Sequence, residues 1–524
     1  MLKIVWNKLV TTVSGGAILI SFFSILSNLL GLIRDRTLAG YFGAGPILDS
    51  YYAAFKLPDL IFNTLVLGAL ASAFIPVFTR VWLENKERAY RLANTILNYL
   101  LITLIVLAAI MFFVAPMCTR LIVPGFNGSE LAQTIALTRI MLLSIVFFGA
   151  SNVVGGILNS LKKFLTFSLA PVFYNLGIIF GILVFYPIWG IKGLAWGVVF
   201  GSALHLLIQL PEVLRAGWRW QWFWGISLEV KRVFKLMVPR TVGLAANQFN
   251  LLVITVIAST LMPGSLAIFT LANNLQTFPS SIFGISLAIA VFPLFSEVLA
   301  KKQHGRFVQI FSINFRRILF LIIPLSVLML LLRAQLVRVI LGSGHFDWQD
   351  TYYTAQTLGW FVVSLFAQSL IPMLARTFYA LEDTKTPVII SLVTIVVNIL
   401  GSIVLGKRFG VQGLALAFSI ASILDMILLL MVLRLRLGYL DDKKIIWSTF
   451  KISVNSLLAG GVVYIMLRFM AGLVNMQTFI GIFLQGLAAG TVGLIFYLAI
   501  CLLTNCQEID IVKNWLKGLR PLLK

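Results

Sequence analysis

Long apolar runs recur along the whole chain, separated by short polar connections. A hydrocarbon layer about 30 Å thick needs about 20 residues of helix to cross it. Read by that length, the pattern predicts spans at 14–33, 46–78, 92–115, 135–160, 165–187, 191–214 and 233–262 in the first part of the chain. The second part carries spans at 266–298, 315–341, 354–380, 387–406, 411–434, 450–470 and 478–503. The expected fold is an all-α polytopic membrane protein of about fourteen transmembrane helices.

Composition supports the same solvent. Of 524 residues, 60% are hydrophobic and 11% charged, whereas soluble domains hold about 25% charged residues. The start, MLKIVWNKLV, is basic, but no small-residue cleavage site closes a short apolar core, so it does not read as a cleavable signal.

The net charge of +23 would suit nucleic acid, but its distribution points elsewhere. With the N-terminus inside, roughly 28 Lys and Arg fall on inner connections and roughly 8 on outer ones, the bias that orients membrane proteins. The expectation is a multi-pass protein with both termini cytoplasmic, its basicity serving orientation and anionic lipid, with no nucleic-acid partner. The linker RAGWRWQWFWGISLEVKRVF (Arg215–Phe234) alternates Trp218, Trp220, Trp222 and Trp224, a pattern suited to the headgroup layer. The C-terminal IVKNWLKGLRPLLK reads as an amphipathic tail lying on the surface.

GIKGLAWG at Gly190–Gly197 resembles GVQGLALA at Gly410–Ala417, and Asn175 and Asn398 precede them at similar distances. A shift of roughly 220 residues therefore suggests two pseudo-repeated six-helix lobes around a central cavity, with two helices added at the C-terminus. The expected organisation is an N-terminal lobe at 1–214, a Trp-rich interfacial linker at 215–232, a C-terminal lobe at 233–440, and a last helix pair with a basic tail at 441–524.

Within the spans a few ionisable residues remain: Arg34, Lys56, Arg139, Arg240 and Arg376, with Asp35, Asp49, Asp59 and Asp425. Each is expensive in lipid, about 2.5–3.5 kcal/mol at a helix centre, so such residues face the bundle interior or a wet cavity. Asp49, Lys56 and Asp59 share one helical face, and Asn28 and Asn63 add hydrogen-bonding groups in the same two spans. This set forms either a wet groove that grips an anionic ligand or a fixed ion pair that closes one end of the bundle. Cys118, Cys501, Cys506 and the scattered His205, His304 and His345 show no metal-ligand spacing, so no metal site is expected. No GxxxxGK[ST] motif is present, so no bound nucleotide is expected to drive transport.

LLGLIRDRTLAGYFGAGPILDSYYAAFKLPD and GALASAFIPVF resemble the N-terminal signature of the MurJ (MviN) family, in the multidrug/oligosaccharidyl-lipid/polysaccharide exporter superfamily. The similarity continues through GILNSLKKF, APVFYN, LMVPRTVGLAANQFNLLVITVIAST, FPSSIFGISLAIAVFPLFSE and FYALEDTKTPV. The resemblance implies a flippase that carries lipid II, the lipid-linked peptidoglycan precursor, across the bacterial inner membrane by alternating access. It implies a cationic cavity for the headgroup and a groove for the lipid tail on the last two helices. On that basis the expected substrate-binding residues are Arg34, Asp35, Asp49, Lys56, Asn28, Asn63, Asn274 and Arg240. Arg34, Asp35, Asp49 and Lys56 match family positions, whereas Asn28, Phe62-Asn63 and Asn273-Asn274 stand where the family carries charge.

The alternatives are export of another polyprenyl-pyrophosphate-linked saccharide, or a small-molecule antiporter of the same superfamily. An enzyme is not expected: Asp441-Asp442 and Glu382-Asp383 read as loop carboxylates among lysines. The expected partners are the lipid-linked substrate and membrane lipids, and the expected state is a monomer. No cofactor is expected, and any coupling would draw on the membrane potential or a monovalent cation.

Overall fold

A computed structural model describes Val13–Asp510 apart from Gly68. The side chains of residues 13–18, 67–72, 239, 240, 242 and 243 lie outside the described set, as does the segment IVKNWLKGLRPLLK expected to form a surface tail. Among the described residues there is no strand. The chain divides into two compact units, one ending at Ala267 and the other beginning at Ile268.

The first unit holds α1 (Val13–Phe42), α2 (Pro46–Ala54), α3 (Lys56–Phe62), α4 (Ala69–Glu84), α5 (Lys86–Ile122), α6 (Gly128–Met141), α7 (Ser144–Ser160) and α8 (Phe164–Phe180). It continues with α9 (Tyr186–Trp189), α10 (Ile191–Leu207), α11 (Leu210–Arg215) and α12 (Leu228–Ser259). The unit boundary falls inside α13 (Ser265–Pro279). Beyond it come α14 (Ser286–Ala300), α15 (His304–Leu331), α16 (Arg333–Leu341), α17 (Trp348–Val362), α18 (Leu365–Ala380), α19 (Lys385–Phe409), α20 (Val411–Leu437), α21 (Asp442–Ala471) and α22 (Phe479–Leu503).

Among the described residues, 10 helices are long and apolar enough to cross a membrane, or 11 if α17 and α18, bent by 45°, form one span. The three other expected spans are helical too: 14–33 lies in α1, 46–78 in the broken run from α2 to α4, and 233–262 largely in α12. The arrangement is consistent with fourteen crossings. Side chains such as Ile105, Phe113, Met117 and Leu121 on α5 are exposed, as helices facing hydrocarbon require.

The repeat extends to backbone conformation. Gly190 (φ 58, ψ −145) and Gly410 (φ 62, ψ −143) make the same left-handed turn, which only glycine adopts readily. After each turn another glycine presses on a carbonyl. A Cβ at Gly193 would lie 2.3 Å from the Phe185 oxygen, and one at Gly413 would lie 2.0 Å from the Leu405 oxygen. Two π-helical stretches, Asn63–Leu67 and Ser280–Ile285, interrupt the second and eighth expected spans at matching places, again shifted by roughly 220 residues.

α12, expected to open the second lobe, instead belongs with the first unit. Val230, Val233 and Met237 join the core built around Phe74, Phe78, Val153 and Ile157, so apolar burial carries the helix back onto the first lobe. The linker before it is held along its backbone. Tyr90 Oη donates to the Ala216 carbonyl at 2.6 Å, Asn94 Nδ2 to that of Arg219 at 2.9 Å, and Asn98 Nδ2 to that of Gln221 at 3.0 Å. Trp220, Trp222 and Trp224 form an exposed ladder with successive ring centroids 4.9 and 5.8 Å apart, whereas Trp218 is buried in the core.

The pairing of the fifth and sixth spans rests on small residues. Gly181 follows α8 and Gly197 lies on α10, and a Cβ at Gly181 would come within 2.3 Å of the Gly197 Cα. Gly197→Leu should therefore overpack this crossing, destabilising the first unit by about 1–3 kcal/mol. A lower thermal midpoint of the purified chain, with a smaller drop for Gly461→Leu in open space, is the expected result.

Candidate functional site

The polar centre of the first unit forms where α1 meets α8. Arg34 sits late in α1, where the helix turns from apolar to polar, beside Asp35. Its Nε and Nη2 donate to Asp35 Oδ1 at 3.0 and 2.8 Å, and its Nη1 donates to Asn175 Oδ1 at 3.1 Å on α8. Asn175 Nδ2 in turn donates to the Ser27 carbonyl, the Ser27 hydroxyl and the Pro171 carbonyl, each at 3.2 Å. Only this amide orientation offers oxygen to the guanidinium and nitrogen to the carbonyls.

The expectation of an ion pair at Arg34 resolves in favour of Asp35 as partner. An arginine has five N–H donors, and among the described residues only the three contacts above engage them. The Arg34 side chain stays 21% exposed while Asp35 falls to 3%. Two donors are thus free for an incoming acceptor, on a head whose position is already fixed. Such preorganisation lowers the ordering penalty of binding.

Three tyrosines that sequence reasoning did not single out as site residues surround this centre electrostatically. Tyr51 and Tyr52 on α2 and Tyr174 on α8 lie within electrostatic range of Arg34, and Tyr174 also senses Asp59. The Tyr52 hydroxyl is buried without a hydrogen-bond partner among the described residues. The available sign was the aromatic pair beside a buried aspartate in LDSYYAAFK.

Lys56 and Asp59 sit one turn apart on α3, both half-buried and electrostatically coupled, and neither side chain has a hydrogen bond or ion pair within 4 Å among the described residues. Lys56 therefore keeps all three ammonium donors open. Asn63 opens the π-helical stretch that follows, also half-buried. π-helical turns inside helices frequently occur at functional sites.

The other expected site residues are placed differently. The Asp49 carboxylate is occupied: Oδ2 accepts the Gly264 N–H at 2.6 Å and Oδ1 accepts the Ala267 N–H at 2.7 Å. It caps the first turn of α13, where negative charge suits the helix dipole. Gly264 (φ 87) presses against Ala44, where a Cβ would meet the carbonyl at 1.9 Å, so the α1–α2 turn and this cap form one latch. Asn28 is exposed on α1, alongside Ser21 and Ser24 on a polar strip. Asn274 lies half-buried on α13, in the second unit. The Arg240 side chain is outside the described residues.

Two further arginines of the spans bond backbone carbonyls. Arg139 donates to the Phe112 carbonyl and stacks on that ring, and Arg376 donates to the Pro372 carbonyl one turn back. The loop carboxylates are less free than expected. Asp441 is buried and accepts from Ser312 and Tyr439, Asp442 pairs with Arg434, and Asp383 pairs with Arg436. Among the described residues no group of three or more His, Cys, Asp or Glu could hold a metal ion.

A family model described as "Lipid II flippase MurJ" matches residues 38–484. The chain belongs to the lipid II flippase MurJ family. It is 30% identical over 519 residues to a "Probable lipid II flippase MurJ" of Vibrio cholerae, covering 94% of this chain and 96% of that one. The corresponding protein of Rickettsia prowazekii is 29% identical over 415 residues, covering 78% of this chain and 82% of its own. Among solved structures, "Lipid II flippase MurJ, inward closed conformation" matches with TM-score 0.78 and 24% identity, over 92% of this chain and 99% of that one. An inward-facing MATE-family transporter matches with TM-score 0.67 and 18% identity, over 81% of this chain and 99% of its own. The MurJ and MATE folds therefore share this all-helical plan.

The latch carries its own expectation. Asp49→Ala leaves the Gly264 and Ala267 amides without their acceptor, a loss typically of about 1 kcal/mol. Hydrogen–deuterium exchange should quicken at residues 264–267 while the rest of α13 keeps its protection.

Proposed function

We propose that this chain is a flippase that moves lipid II from the cytoplasmic to the outer leaflet of the inner membrane by alternating access, with both termini in the cytoplasm. The observation that carries this reading is a preset cation, Arg34, with donors to spare, together with Lys56, whose ammonium feels Asp59 but has no side-chain hydrogen bond or ion pair within 4 Å among the described residues. Pyrophosphate offers clustered anionic acceptors, and charge-assisted bonds to them are roughly twice as strong as neutral ones. In this reading Arg34 and Lys56 hold the phosphates, Asp35 holds Arg34 in place, and Asn63 and Asn28 bond the saccharide as neutral partners. Asp49 acts as a latch whose release accompanies the change of access, and Arg240 completes the set from α12.

Coverage favours this cargo over a small antiporter substrate. The MATE structure is matched almost to its full length yet leaves 19% of this chain without a counterpart, against 8% for the MurJ structure. The surplus leaves chain length for a lipid tail, which in this reading α21 and α22 hold. The amides at Asn28, Asn63, Asn273 and Asn274 support a second reading, another polyprenyl-pyrophosphate-linked saccharide with a less charged head. In either reading the chain transports rather than catalyses, works as a monomer, and draws on the membrane potential or a monovalent cation.

In cells depleted of their own lipid II flippase, the wild-type chain should restore growth. Lys56→Ala and Arg34→Ala should lower outer-leaflet lipid II at least tenfold, as expected for loss of a charged hydrogen bond. Lys302→Ala, on an exposed connection, should leave it unchanged. Full growth of both site variants at normal membrane abundance would overturn the assignment.

A further inference from the structure

The second unit contains a cavity of about 140 Å³ where the start of α21 meets α15 and the short 3-10 turn Gln507–Ile509. Arg316, Lys444, Trp447, Ser448, Lys451 and Glu508 line it. Neither Arg34 nor Lys56 is among its lining residues.

Two polar groups in this lining are buried and unanswered. Among the described residues Ser448 Oγ has no hydrogen-bond partner although the residue is only 9% exposed, and neither has Arg316 Nε, on a residue 7% exposed. Both can donate, and a buried donor without an acceptor typically loses about 1–3 kcal/mol. Such groups are rare in native proteins and mark a missing partner.

The surrounding charge says which kind of partner. Arg316 Nη1 is paired with Glu508, which leaves that pair neutral. Lys444 lies 3.7 Å from Asp441, itself already engaged by Ser312 and Tyr439. Among the described residues Lys451 has no carboxylate partner: it donates to the Thr504 carbonyl at 3.1 Å and sits 5.6 Å from the Trp447 ring centroid. Even with Asp441 counted, a positive charge remains over two orphan donors. Water could satisfy the donors but not the charge. An oxyanion satisfies both.

The rim indicates what the oxyanion is attached to. Trp447 and Phe450 stack at 5.8 Å and are 59% and 58% exposed, with Ile446 and Leu503 exposed beside them. Aromatic and aliphatic groups around a cationic hollow match the boundary between phosphate headgroup and acyl chain. We propose that this cavity binds a phosphate oxyanion, that of an anionic phospholipid headgroup, with Ser448 Oγ and Arg316 Nε donating to it, Lys451 supplying the charge, and Trp447 and Phe450 meeting the acyl chains. The site is independent of the transported cargo.

The test uses the purified full chain. Native mass spectrometry measures its affinity for phosphatidylglycerol and phosphatidylcholine, and thermal melting measures its response to inorganic phosphate. Ser448→Ala and Lys451→Gln should each weaken phosphatidylglycerol binding about tenfold and leave phosphatidylcholine binding unchanged, as expected for loss of a charge-assisted bond. Lys444→Gln, an exposed side chain that cannot unfold the bundle, should weaken it less and keeps the test decisive if a buried variant fails to fold. A melting rise with inorganic phosphate that the variants lose, without preference for either lipid, would keep the oxyanion site and overturn its lipid source. Phosphatidylglycerol affinity equal to wild type in all three variants, with no phosphate effect, would overturn the proposal.

Discussion

Every polar group in a membrane-spanning helix must find its partner inside the protein, because hydrocarbon offers none. Much of this molecule follows from that constraint. It explains why Arg34 is anchored through Asp35 and Asn175, why Asn175 is itself bonded on its nitrogen side, and why the first-turn amides of α13 meet the Asp49 carboxylate. It also makes the exceptions informative. Lys56, the Tyr52 hydroxyl and the two spare donors of Arg34 are polar groups that the protein leaves open in one region of the first unit. These open groups are available to a ligand that brings acceptors of its own.

The residues divide between holding and gripping. Asp35 is nearly inaccessible and serves the arginine, while the arginine retains a fifth of its surface. Asp49 serves a helix terminus and the turn beside Gly264. Glycine sets the framework around them: the paired turns at Gly190 and Gly410 and the close crossing at Gly181 and Gly197 allow helices to approach without side chains between them. Such packing suits bodies that move as units, and a family of exporters built from repeats needs that property.

Much of the architecture was legible in the order of residues, because apolar run length is dictated by bilayer thickness and all fourteen expected segments are helical. The repeat was legible through GIKGLAWG and GVQGLALA, since the turn conformation admits little but glycine. Arg34 and Lys56 stood out because charge is rare at membrane depth. Other features had no such signal. The π-helical stretches at Asn63 and Ser280 follow an apolar pattern indistinguishable from α-helix. The attachment of α12 to the first unit depends on Val230, Val233 and Met237 meeting Phe74 and Phe78, a tertiary match that periodicity does not encode. Asp49 looked like a ligand contact because a carboxylate on a polar helical face has the same spacing whether it serves a ligand or a distant amide.

The central claim is that Arg34 and Lys56 together recognise a diphosphate carried on a lipid. The most direct measurement is the affinity of the purified chain for a polyprenyl-pyrophosphate saccharide against the matching monophosphate, in wild type and Lys56→Gln. The account predicts a clear preference for the diphosphate in the wild type, narrowed by about tenfold in the variant, the expected effect of one charged contact. Equal affinity for the two lipids, or a preference that survives the loss of the lysine charge, would contradict it.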